Sequence, residues 1–162
     1  MARRVFFSFH FDNDAWRAGQ VRNIGSVEGN EPVSDNDWEK VKRGGNAAIE
    51  KWIDDQLKGR SCVVVLIGSK TSTRRWVKRE IVKGWKEGKA VVGVYVHGLK
   101  DQNERSAAKG SNPFAQISLS NGGSLADRVS AHDPTRATSR KTYDAIKVNL
   151  AQWVEEAIAA QA

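Results

Sequence analysis

Two uninterrupted apolar runs, Cys62 to Ile67 and Ala90 to Val96, constrain this chain more than anything else in it. Neither run alternates polar with apolar residues, as a strand with one wet face would, so each reads as a strand buried on both faces. Such strands belong to parallel sheets, whose crossover connections cover the sheet with helices. Between the runs, Arg74 to Glu87 carries Val77, Ile81 and Trp85 on one stripe at helical spacing. Ahead of them, Asn46 reads as the N-cap of a helix with Ile49, Trp52, Ile53 and Leu57 on its inner face, stopped by Gly59. Val5 to Phe9 reads as a first strand, and Asp12 or Asn13 can cap a following helix of about ten residues around Trp16 and Val21. A last stripe, Tyr143, Ile146, Leu150, Trp153, Val154 and Ile158, marks a C-terminal helix over 141–160. Strand and helix alternate throughout, which predicts an α/β fold with a doubly wound sheet and right-handed crossovers.

Two stretches resist this pattern. A weak second strand is expected near Ile24 to Glu28, followed by a long loop from Gly29 to Gly45 that contains Pro32, Asp35, Asn36 and Asp37. Leu99 to Arg140 is polar and rich in turn formers, and only Phe114, Ile117 and Leu119 suggest a short edge strand. An irregular segment of that length is either a functional loop or lid, or a partly ordered insertion. With 162 residues and no repeats, the whole chain, 1–162, is expected to form one domain.

Composition narrows the chemistry. The single cysteine, Cys62, begins an apolar run and has no disulfide partner, so it reads as a buried hydrophobe in a reducing compartment, the cytoplasm. No segment reaches the roughly 20 apolar residues of a membrane helix, and no signal peptide is legible at the N-terminus. A net charge of +7 favours an anionic partner, but the densest basic cluster, Arg74, Arg75, Lys78, Arg79 and Lys83, also fits a solvated helix face. Nucleic acid is not expected, because no strand face interleaves basic with aromatic residues. His10, His97 and His132 are too dispersed for a metal site, and no metal is expected. Neither glycine-rich phosphate motif is present.

In open α/β sheets ligands bind beyond the carboxyl ends of the strands, here His10 to Asp14, the loop from Gly29, and Gly68 to Thr73 with the helix it opens. One carboxylate stands in that region. Glu80 shares a helix face with Trp76, one residue off the stripe of Val77, Ile81 and Trp85, and sits at the shoulder between core and solvent. On spacing alone the favoured reading is a surface carboxylate paired with Lys83 or Arg79.

A resemblance adds to that spacing. The opening Arg4-Val5-Phe6-Phe7-Ser8-Phe9-His10-Phe11-Asp12-Asn13-Asp14 resembles the first strand and loop of TIR domains. Val63 to Ile81 resembles their strand, hydroxyl-rich loop and Trp-x-x-x-Glu helix, here Trp76 to Glu80. With Asn112-Pro113-Phe114 and the C-terminal stripe, the chain is most similar to ThsB-type TIR proteins of the bacterial Thoeris antiphage system. The resemblance implies a flavodoxin-like three-layer fold with a mostly parallel sheet of 4 to 5 strands. It implies cleavage of NAD⁺ at the nicotinamide bond, with Glu80 contacting the ribose. NAD⁺ would be the substrate, with no separate cofactor. It further implies a cyclic ADP-ribose isomer as signal to a partner effector, a phage-derived trigger, and TIR self-association.

Around Glu80 the resemblance places Phe7, Ser8 and Phe9 at the mouth of the site, with Ser8 as a hydrogen-bond partner and Phe9 as a stacking surface. Strict alternation along a strand would turn Ser8 away from Phe7 and Phe9 unless the strand has ended. Ser69 and Thr71 are candidates for polar contacts or helix caps, and Trp76 for the pocket wall. His10 departs from the small or acidic residue that TIR domains commonly carry there. The alternative function is a non-catalytic TIR interaction module, in which Glu80 would be structural.

Overall fold

The computed structural model describes residues 2–30 and 35–161. Its centre is a sheet of four parallel strands in the order β1-β2-β3-β4: β1 Val5–Ser8, β2 Cys62–Ile67, β3 Ala90–Tyr95 and β4 Ala131–His132. Val5 stands opposite Cys62, Cys62 opposite Ala90, and Gly93 opposite Ala131. Every residue of β2 and β3 is buried, as their unbroken apolar runs require. Alternate side chains enter two cores. Val5, Phe7, Val64, Leu66, Val92 and Val94 pack beneath α1 (Phe11–Arg22) and α5 (Ser139–Gln161). Phe6, Val63, Val65, Ile67 and Tyr95 pack beneath α3 (Gly45–Leu57) and α4 (Arg75–Lys86). Helices on both faces of a parallel sheet make this an α/β flavodoxin-like fold.

The strand expected near Ile24 to Glu28 is reduced to a single rung. The Val5 N–H donates to the Glu28 carbonyl at 2.8 Å, and the Glu28 N–H to the Arg3 carbonyl at 2.8 Å, so Arg4 and Glu28 form one parallel bridge. Glycines bracket the rung. Gly25 turns the chain at φ +78°, and Gly29 lies so close to the Phe7 ring that a Cβ there would sit 2.6 Å from it. Counting the rung as the second strand in sequence, the sheet runs 2-1-3-4-5, the order of flavodoxin-like folds.

Elsewhere polar residues conceal helix. The loop expected from Gly29 to Gly45 contains α2, Asp35–Arg43, whose sequence opens with Asp35, Asn36 and Asp37, residue types favoured in a first helical turn. The part of that loop around Pro32 lies outside the described residues. Two caps differ from expectation. His10, not Asp12 or Asn13, precedes α1, and Gly44, not Asn46, precedes α3; Gly59 ends α3 as expected, at φ +75°.

The 99–140 segment is packed down. Leu99, Phe114 and Leu125 are fully buried. Phe114 lies in a 3-10 turn, Pro113–Gln116, rather than the expected edge strand, which instead forms at Ala131–His132. The Phe114 ring presses on Gly93, where a Cβ would come within 2.8 Å of it. Arg17 of α1 pins the start of the segment, donating from Nε to the Leu99 carbonyl and from Nη2 to the Arg105 carbonyl, each at 2.8 Å. No helix among the described residues is long and apolar enough to cross a membrane.

Candidate active site

β1 ends at Ser8, and the chain turns through Phe9 and His10 into α1. β2 ends one strand away, and its continuation opens α4 beside the end of β1. Val77 and Ile81 bury the inner stripe of α4, which leaves Glu80 at its shoulder, leaning back over the strand ends. There the Ser8 hydroxyl donates to Glu80 Oε1 at 2.8 Å. Ser8 is 1% exposed and Glu80 8%, so this is a buried pair. Burial pushes the Glu80 carboxyl up to about 8, and the hydrogen bond from Ser8 pulls the other way. The group is therefore mostly protonated at neutral pH.

Glu80 faces a cavity of about 340 Å³, at the lower end of the range for small-molecule sites. Six aromatic rings line it: Phe6, Phe7, Phe9, Phe11, Trp52 and Trp76. Phe6 comes from one core and Phe7 from the other, so the cavity spans the outer edge of β1, where the rung at Glu28 has stopped. Polar groups reach it from His10, Asp12, Arg22, Asn30 and Arg74. Burial and the nearby Arg74 charge hold His10 below the usual imidazole range, so it is neutral at pH 7, and its buried Nδ1 has no hydrogen-bond partner among the described residues. Asn30 is 7% exposed, and its Oδ1 accepts the Phe7 N–H at 2.9 Å.

Behind the cavity, Asp14 and Arg17 form a buried ion pair at 3.0 Å. Burial raises the Asp14 carboxyl against the pull of Arg17. Asp14 packs on the backbone at the end of β2, where a Cβ on Gly68 would lie 2.1 Å from Oδ2. Cys62 is sealed at the opposite end of β2 with its thiol pushed up to about 12, which leaves no thiolate at neutral pH.

Of the residues singled out from sequence, Glu80, Phe9 and Trp76 line the cavity and Ser8 holds Glu80 from behind. Phe7 and Phe9, two positions apart, share one face and both reach the cavity, whereas Ser8 turns the opposite way to Glu80 as alternation requires. Ser69 and Thr71 stand off it. Thr71 Oγ1 accepts the Gly68 N–H at 2.7 Å and closes the turn, while Ser69 Oγ takes Asn13 Nδ2 at 3.4 Å. Neither caps α4, which begins after Arg74 without a side-chain cap. Sequence reasoning missed Phe6, Arg22 and Asn30 and assigned Trp52 to the core. Nothing local marks Asn30, which lies in a run of turn formers.

The family model of the Thoeris protein ThsB, TIR-like domain, matches residues 6–101. This chain belongs to the ThsB TIR-like family. The matched span contains every cavity residue named above, and the packed insertion of this ThsB-family chain lies almost wholly beyond it. A relative from Bacillus cereus (strain MSX-D12), named "Putative cyclic ADP-D-ribose synthase ThsB1", is 37% identical over 119 residues. The match covers 70% of this chain and 62% of the relative, so this chain spans less than two thirds of that relative's length.

Proposed function

We propose that this ThsB-family chain cleaves NAD⁺ at the nicotinamide–ribose bond and closes the ribosyl centre on a hydroxyl of the same nucleotide. The product is a cyclic ADP-ribose isomer that signals to a partner effector in antiphage defence. One observation carries the reading: a buried carboxyl, Glu80, held by Ser8 and facing a cavity lined by aromatic rings. The printed name of the Bacillus cereus relative supports the same product class.

The chemistry follows from the charges. When the C1′–N bond breaks, its electron pair leaves with nicotinamide, which departs neutral and needs no proton. The ribosyl centre is left oxocarbenium-like, and a carboxylate beside it stabilises that charge and accepts bonds from ribose hydroxyls. Glu80 has to be ionised for this. A cationic nicotinamide ring entering next to it favours the charged form, so NAD⁺ binding and proton loss from Glu80 are linked. Capture of C1′ by a hydroxyl releases a proton, and a carboxylate whose protonated form persists to about pH 8 can take it. The aromatic rings lining the cavity offer water no strong hydrogen-bond partner, which favours capture by the nucleotide over hydrolysis.

The test is chromatography of nucleotides from infected cells expressing the wild type or Glu80→Gln, with nicotinamide release measured on purified protein. An ADP-ribose isomer is expected with the wild type alone. Equal accumulation with the Gln variant would overturn the role of Glu80, and no new nucleotide with either would overturn the enzymatic reading.

A further inference from the structure

Asn30 lines the same cavity as Glu80 and is 7% exposed. It follows the Arg4–Glu28 rung, and its Oδ1 accepts the Phe7 N–H at 2.9 Å in the place a strand carbonyl would take. A backbone N–H only donates, so this bond identifies which end of the side-chain amide is oxygen. The Nδ2 end is turned away from the strand. It has no hydrogen-bond partner among the described residues, and it is not sealed off as His10 Nδ1 is. Arg22 Nη2 donates to the Asn30 carbonyl and holds the same residue from its main chain. A nearly buried amide with one end locked and two N–H donors unmatched is a site waiting for an acceptor.

Its place beside Glu80 defines that acceptor. Glu80 is bonded to the Ser8 side chain and Asn30 to the Phe7 main chain, so both groups are held by the end of β1 and line one cavity of about 340 Å³. Two groups facing one cavity of that size address one nucleoside: the carboxyl at the ribosyl C1′, the amide at the base attached to it. Resting on the NAD⁺-cleaving reading above, we propose that Asn30 is a leaving-group contact whose amide N–H groups bind the carboxamide oxygen of nicotinamide. As the C1′–N bond breaks, the electron pair returns to the ring and density on that oxygen rises. The bond therefore strengthens towards the transition state. The site recognises nucleotides whose leaving base carries an acceptor in that position.

The test pairs a near-isosteric variant with a truncated substrate. Asn30→Asp keeps an oxygen for the Phe7 N–H and loses both donors. On an inactivating Glu80→Gln background, NAD⁺ affinity is expected to fall about tenfold with Asn30→Asp. A dinucleotide whose pyridine lacks the carboxamide should bind the Glu80→Gln protein about tenfold more weakly than NAD⁺ does, and lose nothing further with Asn30→Asp. Equal loss on both dinucleotides, or equal affinity of the Glu80→Gln protein for both, would overturn the assignment; the second comparison stands even if Asn30→Asp does not fold. Unchanged nicotinamide release by the Asn30→Asp single variant would overturn this contact alone. A wild type that neither binds nor cleaves NAD⁺ would overturn it together with the proposed function.

Discussion

Replacing Glu80 by Gln should stabilise the folded protein, and do so increasingly as pH rises. The carboxyl titrates at about 8 in the fold against an ordinary 4.5. Below pH 4.5 it is protonated in both folded and unfolded chains and makes no difference. Between 4.5 and 8 the unfolded carboxyl gives up its proton while the folded one keeps it, so the folded state is disfavoured progressively, and above pH 8 the penalty levels off. Across that window each step of one in pH costs the fold about 1.4 kcal/mol, so the penalty is about 3 kcal/mol at pH 7 and about 5 kcal/mol above pH 8. Gln keeps the size and an oxygen for the Ser8 hydroxyl, and it does not ionise. Thermal unfolding of both proteins from pH 4 to pH 9 measures the difference, with Asp14 and the histidines common to both. The melting temperatures should coincide near pH 4 and separate by roughly 6–12 °C at pH 7, the Gln variant being higher. Parallel curves would show that Glu80 titrates normally and would remove the linkage between its burial and its chemistry.

Ser8→Ala removes the bond that holds the Glu80 pKa down, so the pH at which wild-type-like stability levels off should move higher, and nicotinamide release should drop about tenfold or more. NAD⁺ affinity should improve up to tenfold per pH unit between about pH 6 and 8 in the wild type and stay flat in Glu80→Gln, as followed by calorimetric titration. Arg17→Met strands the Asp14 carboxylate and frees the Leu99 and Arg105 carbonyls, which should cost about 3–5 kcal/mol in denaturant unfolding. Gly68→Ala drives a methyl into Asp14 Oδ2 and should cost at least about 2 kcal/mol; a simultaneous Asp14→Ala should make the two losses strongly non-additive.

Much of the frame was legible because its signal is local. Cys62 to Ile67 and Ala90 to Tyr95 are strands wherever they sit, since no other element buries such a run so economically. The inner faces of α3, α4 and α5 were set by apolar spacing at Ile49, Ile81 and Leu150, all buried as expected. Where the sequence misled, polar residues had two readings. Asp35 to Asp37 could turn the chain or begin a helix, and Phe114 could pair on an edge or plug the space over Gly93; for Phe114 the choice was made by Gly93, distant in the chain.

The sequence by itself determined the layered α/β frame, the helix that carries Glu80, and the family. Only the tertiary structure decided what Glu80 is chemically. Ser8 lies 72 positions away; burial against the end of β1 turns a shoulder carboxylate into a neutral acid at pH 7, while the Ser8 hydroxyl holds it in place and pulls its pKa back down. The cavity has the same origin: it opens because the second strand shrinks to one rung, and Asn30 faces it because the Phe7 N–H there has lost its strand partner. Periodicity records what each segment buries, whereas a site depends on which segments meet and what water they exclude, and that is settled only when the sheet closes.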